Sequence, residues 1–224
     1  MNESKDKQEL SAADLQVPKA VVNRLSLYLR ELQHLVRDGH ETTSSTQLGG
    51  MLGFTDAQVR KDLAYFGQFG YPGIGYRCSE LIDAIKRILG TNQAWPLAII
   101  GLGNLGRALL GYRGFRYGGF QIVAAFDVDP AKIGNTVEGI PIFDLADVEP
   151  VVKERGIRLA IIAVPAPEAQ KVADAMVSAG IEGVLNFAPV TLNLPKQVQT
   201  IGVDLAIELE QLAFAVANQL GNRE

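Results

Sequence analysis

What most constrains this chain is a change of period near its middle. From Trp95 onward five short apolar runs, "PLAIIG", "FQIVAAFD", "RLAIIAVP", "GVLNFAP" and "VQTIGVD", alternate with helical stretches. Runs without polar alternation suit strands buried on both faces. Their alternation with helices is the βαβ pattern of a parallel, doubly wound Rossmann sheet. Before Trp95 the apolar residues instead recur every three or four positions, which is helical spacing. A domain boundary is therefore expected near "GTNQAW", residues 90–95. With 224 residues, 47% hydrophobic and 21% charged, the chain can fill two small cores.

The first run leads into "GLGNLG", Gly101 to Gly106, and then a helical "RALLGY". A strand, a GxGxxG loop and a helix together form a pyrophosphate cradle. Gly101 allows the tight turn, Gly103 lets phosphate approach the backbone, and Gly106 lets the helix pack on the strand. The second run ends in Asp127, 26 positions after Gly101. A carboxylate at that strand end accepts both ribose hydroxyls of NAD and repels a 2′-phosphate. No Arg follows in "DVDPAK", so NAD(H) is expected over NADP(H). Asp127 can alternatively cap the turn at "DVDP". Small residues and prolines at the edges "AIIAVPAP" and "NFAPV" can lie flat against an adenine or nicotinamide ring.

The cleft lacks a reaction partner. Both histidines, His34 and His40, and the only cysteine, Cys78, precede residue 91. Hydride transfer at an alcohol or aldehyde usually needs a proton relay or a nucleophile. The lysines and tyrosines that remain, among them Lys132, Lys171, Tyr112 and Tyr117, form no Tyr-x-x-x-Lys pair. The nucleotide is thus expected to bind without reacting, and the protein is not expected to be an enzyme. No metal site is expected either.

The first half carries the basic side. Residues 15–90 hold nine Lys/Arg against seven Asp/Glu, whereas residues 91–224 hold ten against fourteen. Pro18 suits a first helical turn, and Val21, Val22, Leu25, Leu29, Leu32 and Val36 form a stripe that ends at Gly39. Ser44 or Ser45 can cap a short helix carrying Leu48 and Leu52. Gly53 breaks it, and Thr55 or Asp56 can cap the next. Two short helices about a Gly turn are the helix-turn-helix pattern. On the second, Val59, Leu63 and Phe66 face the core and Ala57, Lys61 and Ala64 face away, flanked by Gln58, Arg60 and Tyr65. Small alanines beside long cations suit a helix in a DNA groove, although a solvated helix face has the same composition. "FGYPGIGYR", residues 69–77, reads either as the β hairpin of a wing, with Tyr71 and Arg77 at the DNA, or as a loop into an amphipathic linker helix, Ser79 to Leu89.

The last segment, Asp204 to Leu220, places Leu205, Leu209, Leu212, Val216 and Leu220 at three-to-four spacing. It can dock on its own domain or cross to a second subunit. A helix-turn-helix reader of two half-sites needs a dimer, which favours the second. The polar N-terminus has no apolar signal region, and no apolar run approaches the roughly 20 residues of a membrane span, so a cytoplasmic location is expected.

Together "TSSTQLG", "QVRKDLAYFGQFG", "GIGY", "GLGNLG", "FDVDPAKIG", "NFAPV" and "VDL" resemble the Rex redox-sensing transcriptional repressors, from about Pro18 into the last helix. The resemblance implies a winged helix-turn-helix domain (18–90) after a disordered tail (1–17), a Rossmann NAD(H)-binding domain (91–203) and a C-terminal, exchanged helix (204–224). It implies a homodimer that binds a palindromic operator when NADH is scarce and releases it when NADH binds, with NAD⁺ competing. Arg60 and Lys61 then lie on the recognition helix, with Ser45 on phosphate. Gly101, Gly103 and Gly106 hold pyrophosphate, with Asn104, Leu105, Arg107 and Ala108 in the same turn. Asp127 and Val128 meet the ribose, and Ala163, Val164, Pro165, Asn186, Phe187 and Ala188 line the cleft. Tyr112 senses the nicotinamide, and Asp204 changes partners between Tyr112 and Arg30. Asn104 stands where the family often has arginine and Leu205 where it often has phenylalanine, so the switch is expected to be tuned differently here. Two other readings of the chain are a small NAD-dependent oxidoreductase and a nucleotide-binding scaffold whose helical half contacts another protein.

Overall fold

The structure, a computed structural model, describes residues 17–221, and side chains up to residue 218. The expected disordered tail, apart from Val17, lies outside the described residues, as does the side chain of Leu220. The chain divides between Gln93 and Ala94 into two compact units.

The first unit runs α1 (Lys19–Arg37), β1 (Thr42–Thr43), α2 (Ser45–Leu52), α3 (Asp56–Ala64), β2 (Tyr76–Arg77) and α4 (Cys78–Ile88). Pro18 is the N-cap of α1, one position outside the helix where its first turn was expected. The buried stripe of α1 is Val21, Leu25, Tyr28, Leu32 and Leu35, while Val22 and Val36 are exposed. Val22 and Val36 keep the heptad spacing of Leu29 but lie at the edge of the face that packs inward, so the expected stripe is rotated by one position. Ser44 caps α2 through Gln47 N–H, 3.0 Å, and Gly53 ends it in the left-handed region. Thr55 caps α3 through Gln58 N–H, 3.1 Å. These short-range polar bonds fix the turn between α2 and α3, and Leu48, Val59 and Leu63 close it over Leu25, Tyr28 and Leu32.

Two readings of this unit become more definite. Of the hairpin and the loop open for residues 69–77, the structure has a bridged turn without two strands inside the segment. A bridge between Tyr71 and Gly75 closes the tip, and β2 takes its antiparallel partner from β1, with Thr43 opposite Tyr76 and Thr42 opposite Arg77. The segment Cys78–Ile88 is also no mere linker. Cys78, Leu81 and Ile85 are buried in the same core as α1, so α4 is a structural wall of the unit.

The second unit runs β3 (Trp95–Ile100), α5 (Asn104–Leu110), α6 (Arg113–Tyr117), β4 (Phe120–Asp127), β5 (Thr136–Val137), β6 (Ile140–Asp144), α7 (Val148–Arg155), β7 (Leu159–Ile162), α8 (Ala166–Ser178), β8 (Gly183–Asn186), β9 (Gln199–Gly202) and α9 (Leu205–Gly221). Among the described residues the sheet has seven strands in the order β5-β6-β4-β3-β7-β8-β9, all parallel except the β5–β6 pair. Successive residues of β3 serve opposite faces. Ala98 and Ile100 join the core under α7 and α8, and Leu97 and Ile99 join the core with Leu102 and Leu110. That double burial is why the strand carries no polar alternation.

Strand order reverses at β3, whose neighbours are β4 and β7. In register, Ile100 pairs with Phe126 and with Ile162. The residues that leave these strands, Gly101, Asp127 and Ala163, therefore emerge side by side at one carboxyl edge, where doubly wound sheets bind their ligands.

Candidate functional sites: a nucleotide cleft and a basic helix face

Gly101 turns the chain out of β3 at φ +90°. A Cβ there would sit 2.7 Å from both the Ala163 carbonyl oxygen and Val164 Cγ1, so no larger residue fits between the β3 and β7 loops. Gly106 lies on the first turn of α5, where a Cβ would overlap the Gly101 carbonyl oxygen. Gly103, by contrast, faces open space. The loop is thus packed tightly behind and open in front, the arrangement that lets a phosphate approach backbone N–H groups.

In front of it lies a cavity of about 340 Å³. Of the candidate cofactor residues it brings together Gly101, Gly103, Asp127, Val128, Ala163, Val164 and Pro165. Lys132, Leu145, Glu168 and Lys171 line it as well, none of them assigned to the cleft from the sequence. Lys132 is legible in "DVDPAK" only once Asp127 is known to be its partner.

The geometry of Asp127 differs from the expectation of an open carboxylate. One oxygen accepts Leu102 N–H at 2.8 Å and Lys132 Nζ at 3.0 Å. The other accepts the N–H groups of Val128 and Asp129, each at 2.9 Å. Asp127 therefore caps the "DVDP" turn and ties the glycine loop to the end of β4. Burial pushes its pKa up, but the backbone N–H groups and Lys132 outweigh it and hold the carboxyl below its usual range. Lys132 is raised in turn, chiefly by its hydrogen bond to Asp127.

The remaining cofactor candidates fall elsewhere. Asn104, Leu105, Arg107 and Ala108 are exposed on α5. Phe187 packs against the core of Leu97 and Ile99. Asn186 and Ala188 line a second cavity of about 360 Å³ with Gly202, Val203, Asp204 and Ile207. Asn186 is buried and bonded within its own loop, to Ala188 N–H at 3.0 Å and to the carbonyls of Ala188 and Val190 at 3.1 and 2.8 Å. It shapes the "NFAPV" loop rather than offering its amide outward.

Each switch candidate has a partner within its own unit. Tyr112 is exposed at the start of α6 and stacks edge-on against Phe115 at 5.0 Å. Asp204 accepts Ala206 N–H and so caps α9. Arg30, in the first unit, pairs with Glu31 at 3.1 Å. Along α9 the apolar side chains Leu205, Ile207, Leu209, Leu212, Phe214 and Val216 are all exposed, from 49% to 71%. Docking of this helix on its own domain is not what the structure shows.

In the first unit the outer face of α3 exposes Ala57, Arg60, Lys61, Ala64 and Tyr65. Its inner face carries a residue the sequence did not flag. Asp62 is fully buried and accepts Arg24 Nε at 2.5 Å, Arg24 Nη2 at 2.8 Å, Tyr28 Oη at 2.8 Å and Gln58 Nε2 at 2.7 Å. Gln58, expected to read DNA, is turned inward by this bond. Burial pushes Asp62 up, but the Arg24, Tyr28 and Gln58 hydrogen bonds win and its pKa is lowered. Arg60 reaches Asp56 at 2.7 Å and Ser45 Oγ at 3.1 Å. Tyr71 and Arg77 both reach Glu80, at 2.9 and 3.1 Å. Among the described residues no cluster of His, Cys, Asp and Glu could hold a metal ion, and no helix is long and apolar enough to cross a membrane.

Fold and sites define a class: a winged helix-turn-helix unit with a basic helix face, joined in one chain to a Rossmann sheet with a glycine-loop cleft. Residues 16–64 match the family described as "Putative DNA-binding protein N-terminus", and residues 92–190 match the CoA binding domain family. Redox-sensing transcriptional repressor Rex of Carboxydothermus hydrogenoformans is 48% identical over 200 residues, covering 89% of this chain and 96% of that protein. The Rex protein of Desulfitobacterium hafniense is 47% identical over 205 residues, covering 92% and 98%. Among solved structures, RSP in complex with β-NAD⁺ and operator DNA superposes with a TM-score of 0.86 at 33% identity, covering 93% of this chain and 96% of that one. RSP in complex with β-NADH gives 0.83 at 32% identity, covering 93% and 98%. The chain belongs to the Rex family of redox-sensing transcriptional repressors.

Proposed function

We propose that this chain is a DNA-binding transcriptional repressor that reads the cellular NADH/NAD⁺ ratio. It binds a palindromic operator as a homodimer when NADH is low and releases it when NADH binds. The observation that carries this reading is the pairing, in one chain, of a basic recognition helix with a glycine-loop cleft whose half of the sequence has neither His nor Cys. A cofactor held there is a signal rather than a reactant. RSP, with the same architecture, has been seen with NAD⁺ and operator DNA and with NADH.

In this reading residues 18–90 bind DNA, 91–203 bind the nucleotide and 204–224 join two copies. Arg60, Lys61 and Tyr65 face the groove, and Ser45, Tyr71 and Arg77 face the backbone. Gly101, Gly103 and Gly106, with Asn104, Leu105, Arg107 and Ala108, take the pyrophosphate. Asp127 and Val128 take the adenosine ribose, whose hydroxyls replace Lys132 on the Asp127 oxygen. Ala163 to Pro165 flank the adenine side, and the backbone of Asn186 to Ala188 flanks the nicotinamide side. Tyr112, Asp204 and Arg30 are the groups that exchange partners between the two states. The exposed apolar face of α9 is covered by a second copy, which supplies the second DNA reader about 34 Å away that a palindrome requires. The protein works in the cytoplasm, where NADH and DNA meet. Because coupling between two ligands is reciprocal, operator DNA must weaken NADH binding by the same factor that NADH weakens operator binding.

Fluorescence anisotropy of a labelled duplex, selected by this protein from a randomised library, tests the reading. Saturable binding to a palindromic sequence is expected. Failure to enrich any sequence would overturn it.

A further inference from the structure

Two of the cations assigned to DNA are already engaged by carboxylates of their own unit. Arg60 Nη1 donates to Asp56 Oδ2 at 2.7 Å, one helical turn away, and also to Ser45 Oγ at 3.1 Å. Arg77 Nη1 donates to Glu80 Oε1 at 3.1 Å, and its guanidinium lies 5.1 Å from the centre of the Tyr71 ring. Tyr71 Oη in turn donates to the second Glu80 oxygen at 2.9 Å. All four charged side chains are about half exposed, so both pairs are open to a duplex. Lys61, on the same helix as Arg60, is exposed, and its ammonium makes no hydrogen bond or ion pair among the described residues.

A carboxylate and a phosphate present the same acceptor geometry to a guanidinium. An arginine held by a carboxylate can bind a phosphate only by leaving it. The carboxylate it leaves then carries an uncompensated negative charge beside the duplex.

We propose that Asp56 and Glu80 are built-in competitors of DNA: they hold Arg60 and Arg77 in the absence of a duplex and weaken binding to the phosphate backbone whatever its sequence. The inference rests on the DNA-reading role proposed above. Its consequence is that the affinity of this protein for arbitrary DNA is set below what its cations would give. Less of the protein is then sequestered on non-operator DNA.

The test uses the full-length protein, a scrambled 30-base-pair duplex and the selected operator, with binding measured from low to moderate salt. Asp56→Asn and Glu80→Gln keep shape and remove charge. Each is expected to tighten binding to the scrambled duplex about three- to tenfold at low salt, the combined effect of a lost exposed ion pair and a lost repulsion. Each should also steepen the slope of log K against log salt by up to about 0.9, because one negative charge fewer then offsets the cations that displace counterions from the duplex. Adding Arg60→Ala to Asp56→Asn should abolish that gain. A gain in affinity cannot come from misfolding, so loss of structure does not imitate the result. Unchanged or weaker binding, with unchanged slopes, while Lys61→Ala still weakens wild-type binding, overturns this inference alone. Absence of duplex binding by the wild type at low salt overturns the DNA-reading role and the inference with it.

Discussion

Asp62 offers the sharpest test of how the recognition helix is held. Replacing it by Asn keeps the volume, so no cavity opens. It removes the charge and one of two acceptor oxygens that serve Arg24, Tyr28 and Gln58. Breaking a buried ion pair by removing one partner costs about 3–5 kcal/mol. The Arg24 side chain is 21% exposed and can turn its guanidinium partly to water, which lowers the cost to about 2–3 kcal/mol. The effect should appear where α3 packs on α1. Hydrogen exchange followed by mass spectrometry should show the amides of both helices losing protection by about 30- to 150-fold, the equivalent of that free energy. A loss of less than about threefold would refute the claim that this network anchors the helix. The pH dependence gives a second arm. Asp62 titrates lower in the folded protein than in the unfolded chain, so its stabilisation is complete above the unfolded value of about 3.9 and is lost as pH falls through the folded one. The gap in stability between wild type and Asp62→Asn should therefore close in acid. Tyr28 behaves oppositely. Burial and then the Asp62 bond raise it, so its contribution holds below about pH 10 and is lost as pH rises further.

Three further outcomes are expected. Gly106→Ala places a Cβ on the Gly101 carbonyl oxygen, so NADH affinity should drop by about tenfold or more in a fluorescence titration, and wild-type affinity would contradict the loop geometry. Lys61→Ala should weaken operator binding and lower its salt slope by about 0.9 while NADH affinity stays the same; an equal loss of both would mean that the two units do not divide the work. Leu212→Glu puts a charge in the middle of the exposed apolar face of α9, so light scattering should show a monomer, and a retained dimer would place the subunit contact elsewhere.

How much of this was legible beforehand follows from the range of the interactions. The βαβ pattern and the glycine loop are local signals, periods and spacings within a few residues, and they gave the strands β3, β4, β7, β8 and β9 and the cleft between them. The caps Ser44 and Thr55 and the stop at Gly53 are local too. What escaped depends on partners far along the chain. β1 is two threonines whose strand character comes only from pairing with Tyr76 and Arg77. Asp62 stands beside Arg60 and Lys61, and spacing alone assigns no carboxylate to a core, yet it is buried because Arg24 and Tyr28 arrive from 38 and 34 positions upstream. That same contact turns Gln58 inward. Asp127 shows the converse case. Its position at the strand end was evident, but whether its oxygens faced a ribose or the chain depended on the backbone of Leu102, 25 positions earlier. The stripe of Leu205, Leu209, Leu212 and Val216 on α9 is a local signal, but Ile207 and Phe214 on the opposite side are apolar and exposed as well, and periodicity alone does not say what covers them.

The central claim is that NADH and operator DNA compete through this chain. The most direct measurement is operator affinity across a series of NADH/NAD⁺ ratios at fixed total nucleotide. The account predicts that affinity falls as the NADH share rises, and that Asp127→Ala shifts the response to higher NADH without changing affinity in the absence of nucleotide. Operator binding that is indifferent to the ratio, with NADH shown to be bound, would contradict it.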